Sequence, residues 1–469
     1  MLNDIHSRLN ATEVAEVAHP ITEDDVVATL ERARRKQLHI CAFGGRHAMG
    51  GQQFRAGGIA VDTSALAGTA RLDTERGLLT IGAGARWPEI IAATRSADAR
   101  SPVHWAIRQK QTGADAMSLG GALAANVHGR GLIMGPIVED VERFRMVTAN
   151  AEVLECSREK NAELFALAIG GYGMFGIITE VTLRLTPRRR MRRLVDIIDL
   201  DDALNAVYRR AEQGCVYGDF QYAIEPGDDS FLRRGVMACY EPVAESTPVD
   251  SSENDLPRES WLRLLELAHT DKRRAFQVYS EHYLASHGRV YWSDTMQLST
   301  YIPTYAEFLA DRRGATTVDE SLMITELNVP PDRLMDFMRA ARLVLRSSGV
   351  EDIYGTIRAI RKDCTTFLPW AREEYACVIF NLRTMHTDAG IALTQRAARG
   401  LIDAAIDLGG TYYLTYHKWA TAAQALRAYP RFPEWMERKH AHDPTGVLRS
   451  TWFEHHWQLL SGMGKCGAA

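Results

Sequence analysis

The chain has 469 residues, which at roughly 150 residues per domain allows two or three domains and a core large enough to enclose a bulky ligand. Hydrophobic residues make up 46% of the chain and charged residues 24%, which is typical of a globular protein and excludes a disordered one. The 55 basic and 59 acidic residues give a net charge of −4, which argues against nucleic-acid binding and against electrostatic attachment to a membrane.

The cysteines and the amino terminus predict a cytoplasmic protein. Seven cysteines lie far apart without a Cys-x-x-Cys pair, so neither a disulfide framework nor a zinc site is predicted. Residues 1–20 lack the basic segment and the apolar core of a signal peptide. The apolar stretch 164–181 contains four glycines and divides into separate elements, which argues against a membrane-spanning helix.

Helical and strand patterns alternate along the chain. A helix is predicted over 22–36, because acidic residues occupy its first turn and basic residues its last. The other predicted helices are 87–97, 163–169, 331–348 and 391–408. The predicted strands are 39–43, 58–62, 78–81, 141–148, 153–156, 177–185, 322–327, 376–382 and 412–416.

A change in composition at Pro187 predicts a domain boundary. The resulting units are 1–187, 188–420 and a carboxy-terminal segment, 421–469, that returns to the first domain. Six arginines fall within 184–193, for which a solvated face is the preferred interpretation and an anion site the alternative. Residues 242–260 are rich in Pro, Ser, Glu and Asp, which predicts an exposed, mobile loop or a lid over a site.

Two glycine-rich segments have different interpretations. Residues 171–176 read Gly-x-Gly-x-x-Gly, but a dinucleotide-binding loop needs a strand before it and a helix after it. Here a predicted helix precedes the motif and a predicted strand follows it, so a nicotinamide-dinucleotide fold is rejected. The loop 44–51 directly follows a predicted strand; its glycines permit positive φ and leave backbone N–H groups free to bind an anion, and Arg46 adds positive charge.

Five ordered segments resemble the vanillyl-alcohol oxidase/p-cresol methylhydroxylase (PCMH-type) flavoprotein superfamily. They are 44–52, 59–62, 79–85, 120–129 and 173–179, and the resemblance covers about residues 15–187. It implies an α+β fold, with a PCMH-type FAD-binding domain of two α+β subdomains and an α+β cap domain that contains an antiparallel sheet. It also implies that FAD is bound by residues of these segments, namely Gly44, Gly45, Arg46, His47, Ala48, Met49, Gly120, Gly121, Ala124, Asn126, His128, Gly129, Gly176 and Ile178.

Many members of this superfamily attach the flavin covalently through a histidine at the place of His47. The resemblance therefore implies covalent FAD on His47, which is chemically reasonable because a neutral imidazole is a nucleophile near neutral pH. A purely structural role for His47 in its loop is the alternative. Other members carry a second attachment through a cysteine near Gly120, but residues 111–131 contain no cysteine. Attachment at two points is therefore not expected.

The carboxy-terminal sequence is similar to the endings of the aldonolactone/alditol oxidases and of the decaprenylphosphoryl-ribose oxidases. Both branches place a lysine at the flavin, and Lys418 is the candidate for it, whereas an ungapped comparison with the second branch puts Tyr416 in that place. His417, which lies between these two residues, is a further candidate for proton transfer. His128, which the resemblance places near the flavin ring, is another candidate for proton transfer, since its pKa can be tuned toward the working pH.

Residues 356–358 are similar to a substrate-binding segment of the alditol oxidases. Arg358 is retained from that segment, but Thr356 replaces a glutamate that binds substrate hydroxyls. Phe380 stands near the place of a histidine of that family. Because a polyol would leave hydroxyls without partners in such a pocket, we expect a substrate less polar than a sugar alcohol.

Four histidines near the carboxy terminus do not form a predicted metal site. No acidic or cysteine partner is fixed at ligand spacing, so they are interpreted as surface residues. They are His440, His442, His455 and His456.

These observations predict an FAD-dependent oxidoreductase. It would oxidise a CH–OH group of a small or glycosyl-type substrate by hydride transfer to flavin N5, and O2 or another acceptor would reoxidise the flavin. One alternative is an oxidase that acts on a C–N bond or tailors a natural product, and another is a flavin-binding module without catalysis. Because members of the superfamily are often dimers, a homodimer is also expected.

Overall fold

A small parallel sheet forms the beginning of the fold. In the computed structural model, which describes residues 1–97, 103–250, 256–298, 308–310 and 318–464, strand β1 (Glu16–Ala18) is followed by helix α1 (Glu23–Lys36), β2 (Ile40–Phe43) and β3 (Ile59–Asp62). The strand order is β1-β3-β2, and both pairs are parallel. Helix α1, which confirms the prediction over 22–36, begins after Thr22, whose side chain accepts a hydrogen bond from the N–H of Asp25.

A second sheet of six antiparallel strands follows. Its strands are β4 (Arg71–Asp73), β5 (Leu78–Gly82), β6 (Trp105–Ile107), β7 (Val141–Val147), β8 (Val153–Ser157) and β9 (Ile177–Pro187), arranged in the order β4-β5-β9-β7-β8 with β6 also paired to β9. The strands predicted over 141–148 and 153–156 are present as β7 and β8, which pair as an antiparallel hairpin. Three helices connect the strands: α2 (Trp87–Ala97), α3 (Leu119–Ala125) and α4 (Ala162–Ala168).

The third sheet has eight antiparallel strands. They are β10 (Arg190–Asp199), β11 (Tyr217–Tyr222), β12 (Arg234–Pro242), β13 (Val290–Trp292), β14 (Glu320–Val329), β15 (Asp352–Ile360), β16 (Tyr375–Met385) and β17 (Thr411–Tyr412), in the order β13-β10-β12-β11-β15-β16-β14-β17. Helices of this part are α5 (Leu200–Glu212), α6 (Arg258–Thr270), α7 (Lys272–Ala285), α8 (Leu334–Ser348) and α9 (Asp388–Asp407). The strand predicted over 412–416 is wrong beyond Tyr412, because the chain turns there.

The carboxy-terminal segment contacts the first sheet. After α10 (Ala422–Ala428) and α11 (Phe432–His442), the N–H of Ile40 in β2 donates to the carbonyl of Val447 at 2.7 Å, and helix α12 (Thr451–Gly464) follows. The N–H of Met49 donates to the carbonyl of Thr415 at 3.2 Å. These contacts hold residues 413–418 beside the glycine loop that follows β2.

The architecture is α+β, as the sequence predicted, with helices packed on mainly antiparallel sheets. One buried apolar cluster runs through the second and third sheets and includes Leu79, Trp370 and Trp452. In the part of the chain that the structure describes, no helix combines the length and the apolar character needed to cross a membrane.

Candidate functional site

A large cavity formed by the described residues has a volume of about 1330 Å³. It lies between the loop after β2, helix α3, the start of β9 and the strands of the third sheet. Cavities that hold drug-sized ligands are usually roughly 300–1,000 Å³, so this one can accept a large cofactor together with a small second molecule. The predicted site residues that line it are Gly44, Gly45, Arg46, His47, Ala48, Gly120, Gly121, Ala124, His128, Gly176, Ile178, Arg358 and Tyr416.

The glycine loop is shaped by its contact with residues 116–118. A Cβ added to Gly44 would lie 2.1 Å from Oγ of Ser118, and one added to Gly45 would lie 2.4 Å from the carbonyl of Ala116. The loop therefore needs glycine at both positions so that its backbone can reach this segment. Arg46 has a φ of 56°, and its side chain lines the cavity. A narrow, glycine-rich wall with one arginine suits the phosphates of a dinucleotide.

His47 contacts a histidine of the amino-terminal segment that the sequence did not single out. Nδ1 of His47 lies 2.8 Å from Nε2 of His6, and both rings line the cavity. Nε2 of His47 is buried without a well-formed hydrogen bond, and the carbonyl of Ala116 is the polar group that faces it. Burial lowers the pKa of His6 to about 4 and that of His47 to about 3. Both imidazoles are therefore neutral at pH 7.

The amino-terminal segment is fixed to the loop by backbone contacts. The N–H of Ile5 donates to the carbonyl of Arg46 at 3.1 Å, and the side-chain amide of Asn10 donates to the carbonyl of Met49 at 2.7 Å. Asp4 accepts hydrogen bonds from several groups of residues 6–10 and so holds this short segment together. The position of His6 is consequently set by the fold.

A buried carboxylate lies on the opposite wall of the cavity. Glu326 projects from β14 and is 1% exposed. Its Oε1 is 3.0 Å from Nε2 of His128 and accepts a hydrogen bond from the thiol of Cys377 at 3.1 Å, while its Oε2 accepts one from the hydroxyl of Tyr416 at 3.2 Å. Burial alone would raise the pKa of Glu326, but His128, the thiol of Cys377 and the charge of Arg358 outweigh it and lower this pKa. Glu326 is therefore an anion at neutral pH.

The same cluster also has the composition of a metal site. Ligand atoms of His128, Glu326 and Cys377 all lie within 4.8 Å of one another. Burial raises the pKa of the Cys377 thiol well above its ordinary value, and the neighbouring charge of Glu326 raises it further. A protonated thiol that donates to a carboxylate is a hydrogen-bonding partner rather than a thiolate ligand. The geometry therefore favours a proton-transfer cluster over a metal site.

Arg358 and Thr356 lie on β15, on the cavity wall. The Arg358 guanidinium donates to the hydroxyl of Thr112, whereas its Nε is buried without a partner. The hydroxyl of Thr356 donates to the carbonyl of Phe220 at 3.2 Å, which leaves it little capacity to bind a ligand. Phe380 is fully buried and does not line the cavity.

Several predicted site residues lie outside the cavity lining. His417 is buried, with Nε2 2.6 Å from the hydroxyl of Thr325, and Nζ of Lys418 lies behind the glycine loop near Gly51. Asn126 ends helix α3 and donates to Asp363 at 2.8 Å. Met49 and Gly129 are also absent from the lining and are held by backbone hydrogen bonds. The structure thus brings Tyr416, but neither Lys418 nor His417, to the cavity.

Two expectations about surface groups are wrong in part. His456 is 2% exposed and packs on the ring of Trp452, so it is a core residue rather than a surface one. In the arginine run 184–193, Arg193 is buried and lines the cavity, while Arg188 forms an ion pair with Asp294 at 2.9 Å. The run is therefore not a uniformly solvated face, because β10 turns alternate side chains inward.

The predicted loop or lid is the segment 242–260, of which residues 251–255 lie outside the described part of the chain. Val249 and Leu256 line the cavity, and the N–H of Asp250 donates to the carbonyl of Val290 at 3.1 Å.

At the other end of the cavity, residues 171–176 precede β9 and follow α4, as predicted, and a Cβ on Gly176 would lie 2.0 Å from Cε of Met146.

The sequence did not single out Glu326, His6 or Cys377 as site residues. Glu326 could have been found as the carboxylate inside the apolar run 322–329, on the same face of β14 as Ile324. His6 and Cys377 carry no local signal, since their role depends on contacts with residues far away in the sequence.

Comparison with known proteins supports the flavin interpretation. Residues 14–157 match the FAD binding domain family. The chain is 33% identical to cytokinin dehydrogenase 4 of Oryza sativa subsp. japonica over 201 residues, which cover 40% of this chain and 36% of the relative. It is 29% identical to the FAD-linked oxidoreductase srdI of Neurospora crassa over 185 residues, covering 39% and 34%. It is 24% identical to cytokinin dehydrogenase 7 of Oryza sativa subsp. japonica over 365 residues, covering 74% and 62%.

The matched region therefore spans about a third of the length of the first two relatives. It contains the glycine loop, α3 and His128, which together line the cavity described above. The close backbone approach at Gly44 and Gly45, the buried and incompletely bonded His47 and the size of the cavity all fit FAD. Residues 14–157 are therefore an FAD-binding domain, similar to that of the PCMH-type flavoproteins.

Proposed function

We propose that this protein is an FAD-dependent oxidoreductase that oxidises a C–N bond of a small molecule. The observation that carries the proposal is the cluster of Glu326, His128 and Tyr416 on the wall of the cavity. When bound, FAD supplies the hydride acceptor. The chain must then supply a group that takes the N–H proton and groups that hold the substrate in place.

Glu326 is the proposed proton acceptor. It is anionic, lines the cavity and is oriented by His128 and Tyr416 on its two oxygens. The hydroxyl of Tyr416 stays protonated, since burial and the charge of Glu326 raise its pKa well above the ordinary value, so Tyr416 acts as a donor. Arg358, whose Nε lacks a partner, is placed to bind a polar group of the substrate.

The choice of a C–N bond over the CH–OH group expected from the sequence has two supports. Two of the relatives described above are named cytokinin dehydrogenases, whereas the resemblance to alditol oxidases lacks its substrate-binding glutamate at Thr356. A carboxylate with a lowered pKa is a weak base. Such a base can take either an N–H or an O–H proton, because both become acidic as hydride leaves the neighbouring carbon, so the choice rests on the relatives and on Thr356.

We propose His47 as the residue that carries FAD covalently. Its ring is neutral and therefore nucleophilic, and it lines the cavity at the glycine loop. Attachment would join a His47 nitrogen to the flavin 8-methyl carbon; the methyl group and the ring each lose one proton, and two electrons pass to O2 to give hydrogen peroxide.

The proposed activity is tested by mixing the flavin-loaded protein, without oxygen, with matched secondary amines and alcohols. We expect an amine to bleach the visible flavin absorbance and the alcohol of the same carbon skeleton to do so far more slowly. Faster bleaching by the alcohols would restore the CH–OH interpretation. If no compound bleaches a flavin that dithionite still reduces, a binding module without catalysis becomes the better description.

A further inference from the structure

A second cluster of polar side chains lies where the third sheet and helices α6 and α7 enclose the cavity. Arg130, Arg193 and Asp219 all line this end, together with aromatic side chains. The aromatic residues are Trp261, Phe276, Tyr279, Tyr283, Tyr291 and Trp292. Two guanidinium groups thus share one enclosed region with a single carboxylate among these lining residues.

The two arginines differ in how the protein satisfies them. The Nε of Arg193 donates to the hydroxyl of Tyr240 at 3.0 Å, and one terminal nitrogen donates to Ser286 at 3.0 Å. Its guanidinium also lies 4.5 Å from the ring centroid of Tyr291. These contacts therefore fix the position of the Arg193 side chain. Arg193 belongs to the arginine run 184–193, for which the sequence analysis kept an anion site as the alternative interpretation.

Arg130 has no comparable set of partners. Its Nε is buried without a hydrogen bond, and its guanidinium forms no ion pair in the part of the chain that the structure describes. Burial alone would lower the pKa of Arg130, but the charge of Asp219 outweighs it, so the side chain is fully charged. Asp219 raises the pKa of Arg130 through its charge, although the two side chains do not form an ion pair. Within this group two guanidinium groups face one carboxylate; Arg188 and Asp250 also line the cavity, and Arg188 is paired with Asp294.

Arg130 is half-buried, and its guanidinium lies 6.0 Å from the ring centroid of Tyr240, but no hydrogen bond or ion pair to a described residue satisfies it. A charge that is partly removed from water is normally paired or hydrogen-bonded. Arg130 faces a cavity rather than packed side chains, so an incoming group can supply the missing partner. A guanidinium presents a planar fork of donors that matches the oxygens of a carboxylate or a phosphate. The aromatic walls beside it suit an apolar or ring-containing body.

We propose that this end of the cavity is a binding site for an anionic group, a carboxylate or a phosphate, of the substrate. Arg130 is its principal ligand and Arg193 supports it. This inference rests on the proposed function in one respect. The proposed function supplies the substrate, and the inference places the anionic group on that same molecule, whose C–N bond is oxidised. It narrows the substrate class from amines in general to amines that also carry a negative charge.

The test compares three probes of similar size on the FAD-loaded protein by isothermal titration calorimetry at pH 7. They are phenylacetate, benzyl phosphate and the neutral phenylacetamide. We expect at least one anion to bind roughly tenfold or more tightly than phenylacetamide, the effect of a charge-assisted bidentate contact. The anion that binds more tightly identifies the group as a carboxylate or a phosphate.

Three variants separate the anion site from general effects. Arg130→Met should remove the preference for the anion and leave phenylacetamide binding unchanged, with no loss of thermal stability, since the side chain makes no hydrogen bond or ion pair with any described residue. Arg130→Lys should retain only part of the preference, because the planar fork is lost. Asp219→Asn should strengthen anion binding.

Equal binding of the three probes by the wild-type protein would overturn the proposal, as would an Arg130→Met variant that still prefers the anion. These outcomes differ from a failure of the proposed function. If the protein prefers anions but no amine reduces its flavin, the anion site is supported and the proposed oxidoreductase activity is refuted. If the protein oxidises neutral amines and shows no preference among the probes, the oxidoreductase activity is supported and the anion site is refuted.

Discussion

Replacing His6 by alanine should slow the covalent attachment of FAD while leaving FAD binding intact. Nε2 of His6 lies 2.8 Å from Nδ1 of His47. Because both rings are neutral, one of these nitrogens carries the proton and the other accepts it. Nε2 of His47 is the reactive nitrogen only when it carries the lone pair, which requires His47 to donate its proton from Nδ1 to His6, against the carbonyl of Ala116 that favours an N–H on Nε2. His6 then acts as a positioning residue that holds His47 in this tautomer.

The size of the effect follows from the hydrogen bond that is lost. A hydrogen bond between neutral groups contributes roughly 0.5–1.5 kcal/mol, which corresponds to roughly a two- to tenfold bias toward one tautomer. The rate of covalent attachment in His6→Ala should therefore fall by roughly two- to tenfold. His47→Ala should abolish covalent attachment, since it removes the nucleophile.

The assay is a time course of FAD incorporation into protein made without flavin. Samples are precipitated with acid and run on a denaturing gel, and flavin fluorescence in the protein band measures the covalent fraction. Asn10→Ala is the matched control, because Asn10 ties the same segment to the loop through Met49 and makes no contact with His47. A wild-type rate in His6→Ala would refute the role of the histidine pair. A wild-type protein that releases all its flavin would refute covalent attachment itself.

Three further predictions concern the cluster on the opposite wall, the glycine loop and the buried histidines. Glu326→Gln should slow flavin reduction by roughly 10²- to 10⁴-fold, as measured by anaerobic stopped flow, whereas Glu320→Gln, on the same strand but outside the cavity lining, should leave the rate unchanged. Gly44→Ala should lower the ratio of FAD to protein in purified samples, because its Cβ would meet Ser118 at 2.1 Å, and an unchanged ratio would show that the loop can shift. Burial lowers the pKa of His456 to about 3, below its value of 6.5 in the unfolded chain, so this group destabilises the folded protein as pH falls from about 6.5 toward 3. At pH 5 the loss is roughly 2 kcal/mol, and His456→Gln should reduce the fall in melting temperature between pH 7 and pH 5.

Local patterns predicted the elements of the FAD-binding domain well. Helix α1 has its capping residue, its acidic first turn and its basic last turn within one short segment, so its bounds could be read directly. The strand predicted through Tyr416 failed beyond Tyr412. Its alternating aromatic residues fit a strand, but the chain turns because Thr415 and Tyr416 face the glycine loop and Glu326. Tertiary contacts decided against the local preference.

The site could be predicted only on the side that binds the flavin. The glycines and His47 sit in one continuous loop, whereas the Glu326 cluster joins four separate segments through His128, Cys377 and Tyr416. No periodicity connects these residues. Arg193 was misjudged for a related reason, because a run of arginines carries no information about which side of β10 faces a cavity.

The two ends of the cavity meet in one short segment. His128 contacts Glu326, where we propose that the proton leaves, and Arg130, two residues later, is the proposed anion ligand. Two residues span at most about 7 Å of chain, so a single small molecule can reach both groups. If both proposals hold, doubly substituted variants at Glu326 and Arg130 should show losses that do not simply add, since one bound molecule contacts both residues.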